Sequence, residues 1–221
     1  MTWKVQSTNA LENPSDLSGS YDEVAAEYTR RIADELDHKP FDRELLDRFA
    51  AMFDADDIVC DIGCGPAHVA RYLSQRGLKV MGIDLSPEMV AQARALNPSL
   101  EIRQGNMLGL DVPNESWAGI IALYSIIHIP RANVVSALSE LRRCLRRGGR
   151  LLVSVYIGDE VLHLDDLWEH PVCMDFILFR TDEMIRYLSE AGFDVEEAVE
   201  RDPYPDVEYQ SRRAYILAVR Q

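Results

Sequence analysis

The chain has 221 residues, 47% of them hydrophobic and 27% charged, a length that suits one domain folded around one core. Its 37 acidic against 23 basic side chains leave a net charge of −14, a field that repels phosphate backbones and anionic lipid and so argues against nucleic acid or a membrane as partner. Cys60, Cys64, Cys144 and Cys173 form no C-x-x-C pair and no zinc spacing, and the N-terminus lacks the apolar stretch of a signal peptide, so reduced thiols, no metal and a cytoplasmic setting are expected.

Residues 1–20 are polar and predict a mobile arm or a loosely packed lid. Tyr21, Val24, Tyr28, Ile32 and Leu36 then recur at three- and four-residue steps, which places them on one helix face with Ser20 as its N-cap. Pro40 opens a second helix carrying Phe41, Leu45, Phe49 and Met52. Asp54, Asp56 and Asp57 form the turn into the stretch VCDIGCGPAHVARYL, residues 59–73. Here a β-branched strand runs into Gly63 and Gly65, whose freedom permits a tight turn and close approach of a ligand to the backbone, and Pro66 suits a helix start. A dinucleotide fingerprint would need glycine where His68 stands, and no Gly-Lys-Ser or Gly-Lys-Thr completes a phosphate loop. Asp61 just before the turn would oppose a pyrophosphate but suits an ammonium or sulfonium group, which points to S-adenosylmethionine (SAM). An ordinary strand-to-helix turn is the competing reading.

The unit repeats. Leu78 to Ile83 reads as a strand ending at Asp84, with Ser86 as N-cap and Pro87 at N1 of the next helix. A short strand near residues 100–103 leads to Gly105, Asn106 and Met107, and the apolar run 119–127 gives a fourth strand. Val134, Leu138, Leu141 and Leu145 mark a helix, and 151–157 a fifth strand. The arginines at 142, 143, 146, 147 and 150 lie near that helix's C-terminus, where cations complement its dipole, and are read as structural. Residues 158–180 hold His163, Trp168, His170, Phe176 and Phe179 without a clean period, as a cover over an active site would. A helix from Thr181 and two strands near 193–199 and 213–220 follow. Alternation of this kind predicts a doubly wound, Rossmann-like, mostly parallel seven-stranded sheet with an antiparallel C-terminal edge pair and an N-terminal helical cap. The expected division of a single domain is 1–53 arm and cap helices, 54–157 core, 158–180 lid, and 181–221 C-terminal helix and strand pair.

From Tyr21 to Arg220 the chain resembles the class I SAM-dependent methyltransferases, in particular the branch that includes quinone and natural-product methylating enzymes. VCDIGCGPAHVARYL is similar to the family's first motif, Gly82-Ile83-Asp84-Leu85-Ser86 to its second and Gly105-Asn106 to its third, while LYSIIHIP and LRRCLRRGG resemble the segments flanking the next helix. The resemblance implies that Asp84 holds the ribose hydroxyls of SAM, that Asp61, Gly63 and Gly65 line its methionine portion, and that Leu85 and Met107 pack on adenine. It further implies that Tyr21 and Tyr28 belong to a cover helix over the methionine end; one apolar helical stripe is the alternative for these two. Asn106 stands where the family usually carries Asp facing the adenine amino group, Ala67 replaces a frequent third glycine, and Arg147 replaces the proline of the usual Pro-Gly-Gly turn.

His128 falls where the family often places a histidine facing the substrate, as a base or as an orienting group. Tyr156, His163, Trp168, Phe176 and Phe179 are candidates for the substrate site, the four aromatics as an apolar wall, with core packing as the rival role. The implied function is methyl transfer to O, N or C of a small, largely apolar metabolite, by a chain that is monomeric or a homodimer. A nicotinamide-dependent oxidoreductase and a non-catalytic SAM-binding regulatory protein are the alternatives.

Overall fold

The computed structural model describes residues 6–7 and 17–221, so the arm expected over residues 1–20 lies outside the described residues at 1–5 and 8–16. Strand β1 (Gln6–Ser7) is followed by helices α1 (Leu17–Ile32) and α2 (Pro40–Ala50). The repeating units come next: β2 (Ile58–Ile62), α3 (His68–Ser74), β3 (Lys79–Asp84), α4 (Pro87–Leu96), β4 (Glu101–Gln104), β5 (Trp117–Leu123), α5 (Arg131–Cys144) and β6 (Leu145–Tyr156). The chain continues through β7 (Val161–Leu167), β8 (His170–Ile177), α6 (Thr181–Glu190), β9 (Phe193–Arg201) and β10 (Arg213–Arg220).

Seven strands form one sheet in the order β4-β3-β2-β5-β6-β10-β9. The first five run parallel, and β10 lies antiparallel to both β6 and β9. Helices cover both faces, which is why Val59, Cys60 and Ile62 of β2 and Ile120, Ile121 and Ala122 of β5 are buried with no polar alternation. From β2 the chain winds outward through β3 and β4, then returns to β5 and winds the other way. The ends of β2 and β5 therefore splay apart, and the crevice between them is where open α/β sheets bind ligands. Residues 145–150 extend β6 upstream of the expected start, with Arg146 paired to Asp57 and Arg150 to Glu196, while in the last turn of α5 Arg143 pairs with Glu140 and Arg142 donates to the Gly192 carbonyl.

Three local expectations change. The apolar run 119–127 is not one strand, because β5 stops at Leu123 and Tyr124 takes a left-handed backbone with φ +53°, after which Ile126–His128 form a 3-10 turn. The Tyr124 N–H donates to the Ser154 carbonyl and hydroxyl, both at 3.1 Å, which holds that turn against β6. Ser20 is not an N-cap, since α1 already begins at Leu17. Its hydroxyl accepts from the Cys173 N–H at 2.8 Å and donates to the Cys173 carbonyl at 3.2 Å, fastening α1 to β8. Asp22, two residues on, accepts from the Glu88 N–H at 3.1 Å and from the Ser86 hydroxyl, fastening the same helix to the start of α4.

The segment 158–180 is a regular antiparallel hairpin, β7 with β8, joined to β1 in a second, three-stranded sheet. Its two-residue turn, Trp168-Glu169, has φ +56° and +70°, the geometry that Asn-Gly or Asp-Gly would have signalled. Within the hairpin His163 is gripped on both nitrogens, Nδ1 by Asp175 at 2.7 Å and Nε2 by Asp165 at 3.1 Å. Burial disfavours its charge, but hydrogen bonds and charge from the two carboxylates outweigh that and raise its pKa above the ordinary value. A folded pKa raised above the unfolded one contributes stability that is complete below the unfolded value, about 6.5, and lost as pH rises through the folded value. Melting temperature is accordingly expected to fall as pH rises above about 6.5, and His163→Gln to flatten that slope in a thermal-melt series across pH.

Candidate active site

The Gly-rich turn is held by its neighbours before any ligand arrives. Gly63 and Gly65 have φ +68° and +51°, and the N–H groups of Gly63 and Cys64 both donate to the Ile83 carbonyl, at 2.7 and 3.1 Å. A Cβ on Gly63 would lie 2.4 Å from the Cβ of Ser125, so only glycine lets the turn close against the end of β5. The Gly65 N–H donates to Asp84 Oδ2 at 2.8 Å, and Asp84 Oδ1 accepts from the Ser86 N–H at 3.0 Å. Ser86 caps α4 as expected, accepting from the Met89 N–H at 3.0 Å. Ala67 sits in the left-handed region at φ +59° where glycine would be unstrained.

Above this turn opens a cleft walled by α1, by the Gly-rich turn and by the ends of β3 and β5. Asp61, Gly63, Gly65 and Asp84 line its floor, and Leu85, Asn106 and Met107 line one end. Asp61 is 3% exposed, and burial lifts its pKa to about 7 against the pull of His68 and the Ala70 N–H. Such a carboxylate favours a cationic ligand group, which would restore its charged form. Asp84 is also pushed up by burial, offset by its backbone donors. Asn106 spends one lone pair of its side-chain oxygen on the Leu108 N–H at 2.9 Å and keeps another for a ligand.

Tyr21 and Tyr28 of α1 form the roof, edge to face at 5.7 Å, and His128 meets them from the 3-10 turn after β5. His128 Nδ1 lies 2.8 Å from the Asp175 carbonyl, which only accepts, so Nδ1 carries the proton. Nε2 is then an acceptor, and the Tyr21 hydroxyl donates to it at 2.8 Å. Burial lowers the His128 pKa to about 4, so the ring is neutral at physiological pH. The ten residues expected at the cofactor and the reacting centre are thus all on this one cleft.

The five candidates for the substrate wall are elsewhere. Phe179 is fully buried against Tyr187 and Arg131, Phe176 packs on the back of the His128 ring at 4.7 Å, and His163 is enclosed in the hairpin. Trp168 lies outside Tyr28 under Arg31, and Tyr156 stacks on Tyr124 at 5.0 Å, one layer behind the cleft. The far wall of the cleft is lined by Glu35, Asp42, His68, Tyr124 and Ser125, backed by Lys39, Arg201, Glu208 and Arg213. Burial works against the Glu35 charge, but Lys39 and His68 outweigh it and hold its pKa at about 2. His68 was visible in the sequence as the residue that breaks the dinucleotide pattern. Glu35 and Asp42 carried no signal, because on a helical period they read as solvent-facing charge.

Residues 59–149 match a family model described as a methyltransferase domain. Over those residues the chain thus carries a methyltransferase domain, and it shares the class I methyltransferase fold. It is 27% identical over 147 residues to a demethylmenaquinone methyltransferase of Beutenbergia cavernae, covering 66% of this chain and 60% of that one. It is 26% identical over 151 residues to a sterol 24-C-methyltransferase of Gibberella zeae, covering 62% and 39%. The chain therefore spans less than two thirds of the length of these curated relatives. The solved structure of a magnesium protoporphyrin IX methyltransferase from Synechocystis with bound SAM superposes with a TM-score of 0.68 at 20% identity, over 97% of this chain and all of that one. That likeness establishes the fold and with it the doubly wound sheet read from the sequence.

The cleft fits the family's cofactor on its own chemistry. It offers a buried carboxylate for a cation, a second carboxylate at a strand end for a diol, glycines that admit a close ligand, and a fully buried, unpartnered Ser125 hydroxyl facing the turn. Among the described residues no helix is long and apolar enough to cross a membrane, and no cluster of side chains has the makings of a metal site.

Proposed function

We propose that this chain is a SAM-dependent methyltransferase acting on a small molecule. The observation that carries the reading is the convergence of the Gly63-Gly65 turn with Asp61 and Asp84 at the switch between β2 and β5. When bound, SAM supplies a methyl group on a good leaving group, so the residues of this chain have to bind, orient and exclude water. Asp84 takes the ribose hydroxyls, Asp61 the methionine ammonium, the Gly63 and Gly65 backbone the methionine chain, and Leu85 and Met107 the two faces of adenine. Asn106 accepts from the adenine amino group. Tyr21 and Tyr28 close the roof. Residues 54–157 make up the cofactor core, 1–53 the arm and cap, 158–180 a hairpin buttress, and 181–221 the closing helix and strand pair of the single domain.

Titration of the purified protein with SAM and with NAD tests the reading directly. SAM is expected to bind and NAD not, because His68 occupies the position of the third glycine that a dinucleotide fold needs. Transfer of labelled methyl to a metabolite pool then separates an enzyme from a SAM-binding regulator. Free Cys60, Cys64, Cys144 and Cys173 support a reducing, cytoplasmic setting, and light scattering decides between monomer and homodimer.

His128 acts in this scheme by orientation. Its Nε2 is occupied by Tyr21 and its Nδ1 by the Asp175 carbonyl, so it fixes the Tyr21 oxygen over the reacting end of the cleft. With a pKa of about 4 it stays neutral, and kcat is expected to show no acid limb until pH falls towards that value. His128→Gln, which keeps one acceptor and one donor, should retain activity within about tenfold, whereas loss of a general base would cost roughly 10²–10⁴. A pH profile of kcat for both proteins distinguishes the two roles.

A further inference from the structure

The direction of each hydrogen bond around the far wall can be assigned, and all of them turn the same way. Asp42 is paired with Arg201 at 2.8 Å and only accepts, so the single proton of the Tyr215 hydroxyl, 2.9 Å away, goes to Asp42. Tyr215 then accepts from Arg201 at 2.7 Å and from the Tyr124 hydroxyl at 2.7 Å. Tyr124 has thereby spent its proton on Tyr215, and its oxygen has lone pairs alone to offer the cleft it lines.

The same holds beside it. His68 Nε2 lies 3.1 Å from Glu35 Oε1, a carboxylate, so Nε2 carries a proton and donates it there, leaving Nδ1 as the ring's other nitrogen. That Nδ1 is fully buried and has no partner. Each oxygen of Glu35 and Asp42 accepts one hydrogen bond from behind the wall and keeps a further lone pair. The cations that neutralise this wall, Lys39 and Arg201, do not line the cleft; the carboxylates do. Ser125, 8% exposed, adds an unpartnered hydroxyl beside Gly63 in the same cleft.

A buried surface of acceptors is costly unless a ligand brings donors to it. A quinone carbonyl, an ether or a carboxylate brings none. A single hydroxyl brings one. A primary amine or ammonium brings two or three together with positive charge, which suits the free lone pairs of Glu35, Asp42 and Tyr124. We propose that the methyl acceptor carries an amino group and is recognised through it by the wall of Glu35, Asp42 and Tyr124. This rests on the methyltransferase reading above and narrows its substrate from small molecules in general to amines.

The test is a calorimetric comparison of three matched probes, benzylamine, benzyl alcohol and benzoate, with and without saturating S-adenosylhomocysteine. Benzylamine is expected to bind at least about tenfold more tightly than either, the value of one charge-assisted hydrogen bond. Glu35→Gln and, separately, Tyr124→Phe should shrink that preference several-fold while S-adenosylhomocysteine binds as before. Equal affinities, a preference for the alcohol or the benzoate, or no binding of any probe at millimolar concentration overturns the proposal, and the wild-type comparison decides even where a variant does not fold. Failure of S-adenosylhomocysteine to bind overturns the methyltransferase reading instead, and the probes without it still report the preference of the wall.

Discussion

Replacing Asp84 with alanine is expected to lower SAM affinity by at least about tenfold and up to a few hundredfold, the loss of one or two hydrogen bonds to a charged acceptor. Ribose is only part of the reason. Asp84 also holds the Gly65 N–H and the Ser86 N–H, so its carboxylate ties the Gly-rich turn to the start of α4. Without it two backbone donors lose their partner and the turn loses the anchor that sets its distance from β3. Asp84→Asn is a sharper probe of the same point, because an amide keeps one acceptor oxygen and turns its NH2 towards one of those two N–H groups. Calorimetry on folded protein should therefore find Asn nearly as damaging as Ala. Full SAM affinity in either variant would remove Asp84 from the cofactor site.

The largest effect on stability is expected at Arg201. Its side chain is 11% exposed and joins Asp42 and Glu208, at 3% and 1%, while donating to Tyr215 as well. Removing one member of a buried ionic group strands the others, at about 3–5 kcal/mol. Arg201→Met should thus lower the urea midpoint by on the order of 1–2 M in equilibrium unfolding. A midpoint unchanged by Arg201→Met would mean that water reaches the cluster.

These two positions differ in how visible they are before the fold is known. Asp84 is legible because its meaning is local: strand, acid, Ser-Pro helix start, within a few residues and at a fixed distance from the Gly63-Gly65 turn. The parallel core was readable for the same reason, each unit carrying its own punctuation. Arg201, Asp42, Glu208 and Tyr215 have no such context. They come from α2, β9, β10 and the connection between the two strands, and only the folded chain brings them together. Their spacing in sequence says surface charge, and it takes the closed sheet to turn them inward.

The aromatic wall fails to appear for a related reason. Trp168, Phe176 and Phe179 look like a lid because residues 158–180 lack a helical period, but two-residue pairing across a hairpin accounts for the segment equally well. Trp168-Glu169 hides the turn by adopting a conformation that glycine and asparagine usually fill. The hairpin still reaches the cleft, through main chain instead of side chain. The Asp175 carbonyl fixes the proton on His128, while its carboxylate holds His163.

The position of β10 bears on how this domain comes to be folded. It follows every other described strand in sequence, yet it lies inside the sheet, between β6 and β9. While the chain is being synthesised the five parallel strands can assemble, but β6 then presents an open edge and β9 has no neighbour within the sheet. Arg213 and Tyr215, which belong to the charged wall, arrive only with β10. Closure of the sheet, pairing of Glu208 with Arg213 and the Tyr215 hydrogen bond to Asp42 are therefore one late event, built on contacts distant in sequence and slow for that reason. Until it happens the exposed edge of β6 is the surface on which two nascent copies would pair wrongly, so yield should be more sensitive to changes in residues 213–220 than their distance from the Gly-rich turn suggests.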